Sequence, residues 1–312
     1  MSISNNSKTF FEACLVSAVL RSPPPSYISN NIAAIVVNIV LAIAGTILNS
    51  FVLFMFWKSA KLRSKLSYFS IMLLSSIDLG VVTVVHPLFV LKSSTTILGS
   101  AKCLYIITYT ITISFFLGIS TLTLIIINIE RYFSIIHPVL HRNHFTRRRL
   151  VLTWVFLWFF VIVNIVSRIY FNFLAKGIPI ILSIAVFTSL YTYVAIFVVA
   201  RKKMLKTIHN QESSRNCMAF LRELKMAKTC VFVVSLCLVC YLPTAVVFGI
   251  QNPLRLGEKI YYDSVVNGSI WVTTLMTMNS TLNCLVFFWG NRDMRQEGSK
   301  ILKRCFHGQG DQ

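Results

Sequence analysis

The stretch "CLYIITYTITISFFLGISTLTLIIINIERYFSIIHP", Cys103–Pro138, decides the fold. Its first 27 residues, Cys103–Ile129, carry no charge. At about 1.5 Å per residue, a helix of this length crosses the ~30 Å hydrocarbon core of a bilayer. The uncharged run ends in two adjacent opposite charges, Glu130 and Arg131. A basic residue alone is a common membrane anchor, so the neighbouring acid needs another explanation.

Six further stretches of similar length are uncharged or nearly so. Only 13% of the 312 residues are charged and the mean hydropathy is +0.70, whereas soluble domains average about 25% charged residues. Backbone groups in lipid must be hydrogen-bonded within the segment, so each stretch is predicted to be a helix. We therefore predict an all-α membrane protein, a seven-transmembrane helix bundle. The predicted spans cover about 33–57, 67–91, 103–130, 150–168, 177–200, 229–250 and 266–289.

The basic charge follows the predicted topology. With the N-terminus outside, the inside segments hold 22 of the 30 lysines and arginines, which is the positive-inside bias. The net charge of +20 is thus explained by topology and anionic membrane lipids, and no nucleic-acid partner is predicted. We expect a multi-pass plasma-membrane protein with an extracellular tail at 1–31, a seven-helix transmembrane domain at 32–290, and a cytoplasmic C-terminus at 291–312.

The cytoplasmic end begins with a predicted amphipathic helix, "NRDMRQEGSKILKRCF". Its apolar residues Met294, Ile301, Leu302 and Phe306 are expected to face lipid. Near the end of this helix, Cys305 is a candidate for palmitoylation, with an unmodified thiol as the alternative. In the extracellular tail, Asn5 begins a glycosylation sequon.

One acid, Asp78, lies deep within the predicted spans. An ionised side chain there costs about 2.5–3.5 kcal/mol on insertion scales, which makes it a functional candidate. Four polar residues on other spans could surround it: Asn49, Ser120, Asn279 and Asn283. Such a cluster could hold a structural sodium ion or water at Asp78, while the alternative is a protonated Asp78 bonded to a neighbouring helix. No other cofactor is predicted.

Several short motifs occur in a fixed order along these spans. Span three closes with "ERY", and Trp158 follows Arg131 by 27 residues. With its seven spans and outside N-terminus, the chain resembles the rhodopsin-like (class A) G-protein-coupled receptors. The other matching motifs are "GTILN" (Gly45–Asn49), "SSIDL" (Ser75–Leu79), "CYLP" (Cys240–Pro243) and "NSTLNCLVF" (Asn279–Phe287).

The resemblance implies a role for the charged pair that ends span three. In that family the corresponding acid and arginine form a lock, and the arginine swings to meet the G protein on activation. A ligand-activated receptor coupled to heterotrimeric G proteins is implied, not an enzyme. A transporter or channel, or an atypical non-signalling seven-helix receptor, is the alternative. The residues implied to serve activation and coupling are Glu130, Arg131, Tyr132, Tyr193, Tyr241, Pro243 and Asn283.

The chain departs from the family pattern at several positions. Cys284 and Phe287 stand where the family has proline and tyrosine, and Tyr241 replaces a tryptophan. The loop around 169–177 contains no cysteine to pair with span three. Cys14 is the other cysteine predicted outside, so Cys14 and Cys103 form either a disulfide or two free thiols.

The outer part of the bundle is expected to hold the ligand. Span three carries Ile111 and Ile113 there instead of an acid, so an amine ligand lacks its usual partner. The predicted lining is apolar and aromatic, which fits a lipid, a small odorant-like molecule or a peptide tip. It comprises His86, Tyr109, Ile113, Phe116, Tyr241, Phe248 and Trp271.

Overall fold

The computed structural model describes residues 25–100, 102–171 and 267–307, and single residues between 184 and 199 and between 229 and 243. Side chains are described except at 168–171 and 305–307. Every element within this part of the chain is helical, with no strand. Five of these helices are long and apolar enough to cross a membrane.

The five long helices coincide with predicted spans one, two, three, four and seven. Span one begins earlier than predicted, with Pro25 in the first turn, where a proline loses no hydrogen bond. Spans five and six were predicted at 177–200 and 229–250, and their described residues are helical. The spans described as continuous helices are Pro25–Lys58, Leu66–Ile97, Cys103–Ile136, Arg147–Phe171 and Asn267–Gly290.

Span two is not a uniform helix. Its α-helical halves, Leu66–Gly80 and His86–Ile97, are joined by a π-helical turn at Val81–Val85. The outer half has Pro87 in its first turn. Proline lacks the N–H of a regular helix and its ring clashes with the carbonyl four residues earlier, so a widened turn before it relieves both problems.

The described spans pack around span two. Span one lies against spans two and seven, span three against span two, and span four against span three. Where spans one, two and seven meet, Gly45 faces Val82 and Thr281 so closely that a Cβ would lie 2.7 Å from the Thr281 hydroxyl oxygen. Small residues permit such close helix approach in membranes, where dispersion contacts drive packing.

Two short helices and one longer one lie at the end of the bundle that the sequence predicts to face the cytoplasm, which we call the inner end. The short helices are Ala60–Ser64, between spans one and two, and Pro138–His144, between spans three and four. The longer one, Arg292–His307, follows span seven and confirms the amphipathic helix that the sequence predicts.

The helix after span seven is fixed to the first inside loop by its acids. Asp293 accepts hydrogen bonds from Lys61 at 3.0 Å, Lys65 at 2.9 Å and Tyr68 at 3.2 Å. Burial alone would raise the pKa of Asp293, but the hydrogen bonds and charges of Lys65 and Lys61 outweigh it and hold that pKa below its usual range. We call this group of four residues the loop-one clamp.

The predicted lipid-facing orientation of this helix is wrong at Met294, and Ile301 is partly buried and packs against the core. Met294 was expected to face lipid, yet it is 2% exposed and packs in the core beside residues of span one. The helix turns the face that carries Met294 toward the bundle because the neighbouring acid is bonded to loop one. Leu302, by contrast, is 42% exposed, which agrees with a lipid-facing position.

Candidate functional site

The carboxylate of Asp78 lies at the centre of the bundle, fully buried. Ser120 of span three donates a hydrogen bond to Oδ1 at 2.9 Å, and Asn283 of span seven donates from Nδ2 to Oδ2 at 2.9 Å. The structure therefore joins spans two, three and seven through three of the residues that the sequence singled out. We call Asp78, Ser120 and Asn283 the central polar cluster.

The other two asparagines have no described hydrogen bond to that carboxylate. Asn49 donates to the backbone carbonyls of Gly45, at 2.9 Å, and Ser280, at 3.4 Å. The Cys284 thiol, at the position where the family has proline, donates to Asn49 Oδ1. Asn49 therefore ties span one to span seven beside the cluster, and the cysteine takes part in that tie.

The cluster offers oxygen atoms that could serve a small cation. The side-chain oxygens of Asn279 and Asn283 are buried and have no hydrogen-bond partner among the described residues. Buried carbonyl oxygens without donors near a carboxylate suit a hard cation or an ordered water molecule. The chemistry of Asp78, Ser120 and the Asn283 amide thus fits the predicted sodium ion, whereas no described contact brings Asn279 to this carboxylate.

Glu130 and Arg131 form a buried ion pair, which we call the sealed pair, at the inner end of span three. The guanidinium donates from Nε to Glu130 Oε2 at 2.7 Å, and from Nη2 to the same oxygen. The two side chains are 0% and 1% exposed. A buried charge is tolerated only when it is paired and hydrogen-bonded, and each member of this pair provides that for the other.

His141 completes the surroundings of this pair. Its Nε2 lies 2.9 Å from Glu130 Oε1, and its ring stacks on Phe145 with centroids 5.1 Å apart. His141 belongs to the short helix Pro138–His144, which extends the Glu130–Arg131 contact into the second inside loop. Both oxygens of the glutamate are therefore occupied.

The neighbouring Tyr132 faces away from the buried pair. Its hydroxyl lies 3.3 Å from that of Tyr191, and the two rings are 5.5 Å apart. Tyr193, which the sequence proposed for the coupling group, lies outside the described residues. Span five therefore meets span three through Tyr191 at this depth.

The residues predicted to line the outer ligand pocket divide into two groups. His86 lies 2.6 Å from Asn38 Oδ1 through Nδ1, and Asn38 donates to Thr274 at 2.9 Å. Trp271 is tied to span one by a 3.1 Å bond from Nε1 to Asn30. These residues hold spans one, two and seven together along one wall.

The second group lies along span three. Tyr109 and Ile113 are buried one helical turn apart, and Tyr109 meets Phe89 edge to face at 5.9 Å. Phe116 packs against Gly80, where a Cβ would lie 2.9 Å from two of its ring atoms. A glycine just before the π turn thus makes room for this ring.

A hydrogen bond further along span three connects it to span six. Thr121 of span three donates to the hydroxyl of Tyr241 at 3.3 Å. Tyr241 is buried, and Pro243, two residues further along, is partly buried. Tyrosine in place of the family's tryptophan therefore supplies a hydroxyl that accepts a hydrogen bond from span three.

Several predicted residues cannot be placed. Asn5, Cys14, Phe248 and the side chain of Cys305 lie outside the described part of the chain. Cys103 takes part in a disulfide bond whose partner also lies outside it. The alternative in which Cys103 is a free thiol is therefore wrong. The pairing of Cys103 with Cys14 stays a prediction.

His141, Tyr191 and Thr121 were not predicted as functional residues. His141 stands 11 residues from Glu130, beyond the end of span three, so helical spacing does not connect them. A hydrogen-bonding side chain in a short segment just after "HP" is the one signal that could have drawn attention to it. For Thr121 and Tyr191, helical periodicity predicts a buried or exposed face but not the partner.

The comparisons with known proteins agree with this arrangement. The family model for the 7 transmembrane receptor (rhodopsin family) matches residues 48–287, well over half of the chain. No curated protein matches the sequence. The multi-pass helical bundle, the polar cluster between spans two, three and seven, and this match lead to one conclusion: the chain belongs to the rhodopsin family of seven-transmembrane receptors.

Proposed function

We propose that the protein is a ligand-activated receptor of the plasma membrane that couples to heterotrimeric G proteins. Its N-terminus lies outside and its C-terminus in the cytoplasm, in accord with the distribution of basic residues. The observation that carries the proposal is the sealed pair of Glu130 and Arg131 at the inner end of span three.

A sealed pair has the energetics required of a switch. Separating Arg131 from Glu130 breaks a buried ion pair in a region of low dielectric, which costs several kcal/mol. The resting arrangement is therefore stable until another group supplies acceptors to the guanidinium. The carbonyl-rich C-terminal end of a partner helix, with its partial negative charge, is such a group. In this family the G protein presents a helix of that kind.

The signal from outside has a route through described contacts. A ligand in the outer pocket changes the packing around Tyr109 and Ile113, and the Thr121–Tyr241 hydrogen bond connects the base of that pocket to span six. Below it, the central polar cluster links spans two, three and seven. These linked spans continue to the inner end, where Glu130 and Arg131 lie.

Sodium is proposed to bind at Asp78 in the resting receptor. An ion there would neutralise the carboxylate and fix spans two, three and seven in one arrangement. Replacing sodium chloride by choline chloride should lower the thermal unfolding midpoint of the wild-type receptor. Asp78→Asn should remove that difference. An equal difference in both proteins would show that sodium acts elsewhere.

The coupling proposal can be tested without knowing the ligand. Receptor in lipid nanodiscs is mixed with heterotrimers of each Gα class, and nucleotide exchange is followed. Glu130→Gln should raise basal exchange about tenfold or more, because a hydrogen bond to a charged group is worth roughly 1.5–3 kcal/mol and its loss favours the active form. Arg131→Ala in the same background should abolish exchange.

A matched control separates the switch from general charge effects. Arg142 is an exposed arginine in the same inside segment, so Arg142→Ala removes an equal charge without touching Glu130. This variant should behave like wild type. An antibody to an N-terminal tag on intact cells checks orientation and surface level. If Glu130→Gln reaches the surface and accelerates exchange on none of the heterotrimers, the coupling proposal is wrong.

A further inference from the structure

Lys92 occupies an unusual place near the outer end of span two. It is partly buried, and its Nζ lies 5.0 Å from the ring centroid of Tyr109 and 6.0 Å from that of Phe89. The ammonium therefore points into the aromatic group between spans two and three. A lysine at this level of a membrane helix would ordinarily extend its head toward water.

No acid neutralises this charge within the described part of the chain. Its four carboxylates are Asp78 in the central polar cluster, Glu130 at the inner end, and Asp293 and Glu297 on the helix after span seven. All four lie at the centre or the inner end of the bundle. Cation–π contacts stabilise an ammonium by less than its desolvation costs. Among the described residues, no negative partner lies at the outer end.

A second group beside Lys92 also lacks a partner. The hydroxyl of Tyr109 is buried near Thr273 of span seven, and it makes no hydrogen bond of normal geometry with a described residue. The side chain is only 4% exposed, so bulk water does not satisfy it. A buried hydroxyl that makes no hydrogen bond is destabilising. The ammonium of Lys92 therefore lies 5.0 Å from the centre of the ring that carries this hydroxyl, and both groups have hydrogens to donate.

We infer that Lys92 and Tyr109 form the acid-binding end of the ligand pocket, and that its ligand is a small monocarboxylic acid with an apolar body. This inference rests on the proposed function and names the class of its ligand. Two donors match the two oxygens of a carboxylate, and one positive charge balances one negative charge. A phosphate monoester would leave an unbalanced charge in an apolar pocket.

The rest of the pocket fits the body of such an acid. Ile113 continues inward from Tyr109 on the same face of span three, and Phe89 lines the opposite side on span two. This lining offers apolar and aromatic surface to a short alkyl or phenyl group. Span three carries isoleucines instead of the acidic residue that would pair with an amine ligand. These apolar residues are compatible with a carboxylic acid ligand.

Ligand binding can be measured without a G protein. The thermal unfolding midpoint of purified receptor is recorded with butanoic, octanoic and phenylpropanoic acids, and with the methyl ester of each. The esters keep the body and remove the charge. At least one acid should stabilise the wild type while its ester does not. Lys92→Gln should weaken that acid's binding tenfold or more, and Lys92→Arg should retain part of it.

Two further variants sharpen the result. Tyr109→Phe removes only the hydroxyl and should weaken binding by a smaller factor, about threefold to tenfold. Lys102→Gln removes an exposed lysine at the start of span three and should bind the acid as wild type does. Measurements in phospholipid nanodiscs and in phosphate-free maltoside micelles separate a free acid from a lipid headgroup. The acid should act in both.

Three outcomes would overturn the inference. In the first, no acid stabilises the wild type, or its ester is equally effective. In the second, Lys92→Gln binds the acid as tightly as Lys102→Gln does. In the third, Lys92→Gln lowers the midpoint only in phospholipid and the acids have no effect, which would identify a headgroup phosphate as the partner. Because binding is measured alone, acid binding with no coupling of Glu130→Gln would refute the proposed function and leave this inference standing.

Discussion

Exchanging Asp78 and Asn283 tests whether the central polar cluster is a specific pair. In the structure, the amide Nδ2 of Asn283 donates to the Asp78 carboxylate at 2.9 Å, deep in the bundle. Asp78→Asn places a second amide opposite that of Asn283. In either orientation of the new amide group, an N–H or an oxygen is left without a hydrogen-bond partner. Asn283→Asp places two carboxylates at hydrogen-bond distance, where both cannot be ionised. The double variant restores one acid facing one amide.

The sizes of these effects follow from burial. An unsatisfied buried polar group costs about 1–3 kcal/mol, so Asp78→Asn should destabilise by that amount. Asn283→Asp should cost at least as much, because it adds a buried acid that must take up a proton. If the exchange restores the contact, the double-mutant cycle should give a coupling energy of about 2 kcal/mol. Ser120, which bonds the other oxygen at 2.9 Å, should hold position 78 in place throughout.

Thermal unfolding of the four proteins in nanodiscs measures the cycle. A change of 1 kcal/mol corresponds to a shift of about 2–4 °C in a chain of 150–250 residues, so the single variants should fall by several degrees and the double variant should recover most of the loss. As a control, Asn31→Asp alters a buried asparagine that bonds the Tyr27 carbonyl, and its effect should add to that of Asp78→Asn. Additive losses for the exchange itself would refute the reasoning.

Three other predictions concern the clamp, the disulfide and the glycine before the π turn. Asp293→Asn should lower the unfolding midpoint by a few degrees. Because the pKa of Asp293 is depressed in the folded protein, its stabilising effect is present above the ordinary Asp pKa of about 3.9 and is lost only as the pH falls below that value. Added salt should therefore weaken the stabilisation, whereas a change from pH 8 to pH 6 should not. Non-reducing peptide mapping should recover Cys14 linked to Cys103, and a different partner would exclude this pairing. Gly80→Ala should destabilise by about 1–3 kcal/mol because its Cβ overlaps the Phe116 ring, and Phe116→Leu should relieve that loss if the overlap is the cause.

The sequence predicted the features that depend on composition and helical spacing. Long uncharged runs are sufficient to identify spans in lipid, because no other open structure satisfies the backbone there. Asp78, Ser120 and Asn283 could be grouped because a buried acid is expensive and must find polar neighbours on other helices. The family motifs then indicated how these helices are arranged.

Features that depend on contacts between separate elements were missed. Met294 was assigned to lipid because an amphipathic pattern identifies an apolar face but not what covers it, and here Asp293 turns that face toward span one. Lys92 lies just beyond the predicted end of span two at residue 91, where the sequence predicts a lysine head in water. Its position over Tyr109 depends on how spans two and three face each other.

The π turn at Val81–Val85 divides span two into halves whose side chains differ in their rotation about the helix axis. Such a turn contains about one residue more than a regular turn, so every side chain beyond it is rotated by roughly 100° relative to an uninterrupted helix. The inner half places Asp78 in the central polar cluster. The side chains of the outer half, including Lys92, are rotated about the helix axis relative to those of the inner half. A one-residue deletion within the turn would leave the inner half in register and present a different row of side chains to the ligand. Length changes at this single place could therefore alter ligand preference without disturbing the signalling core.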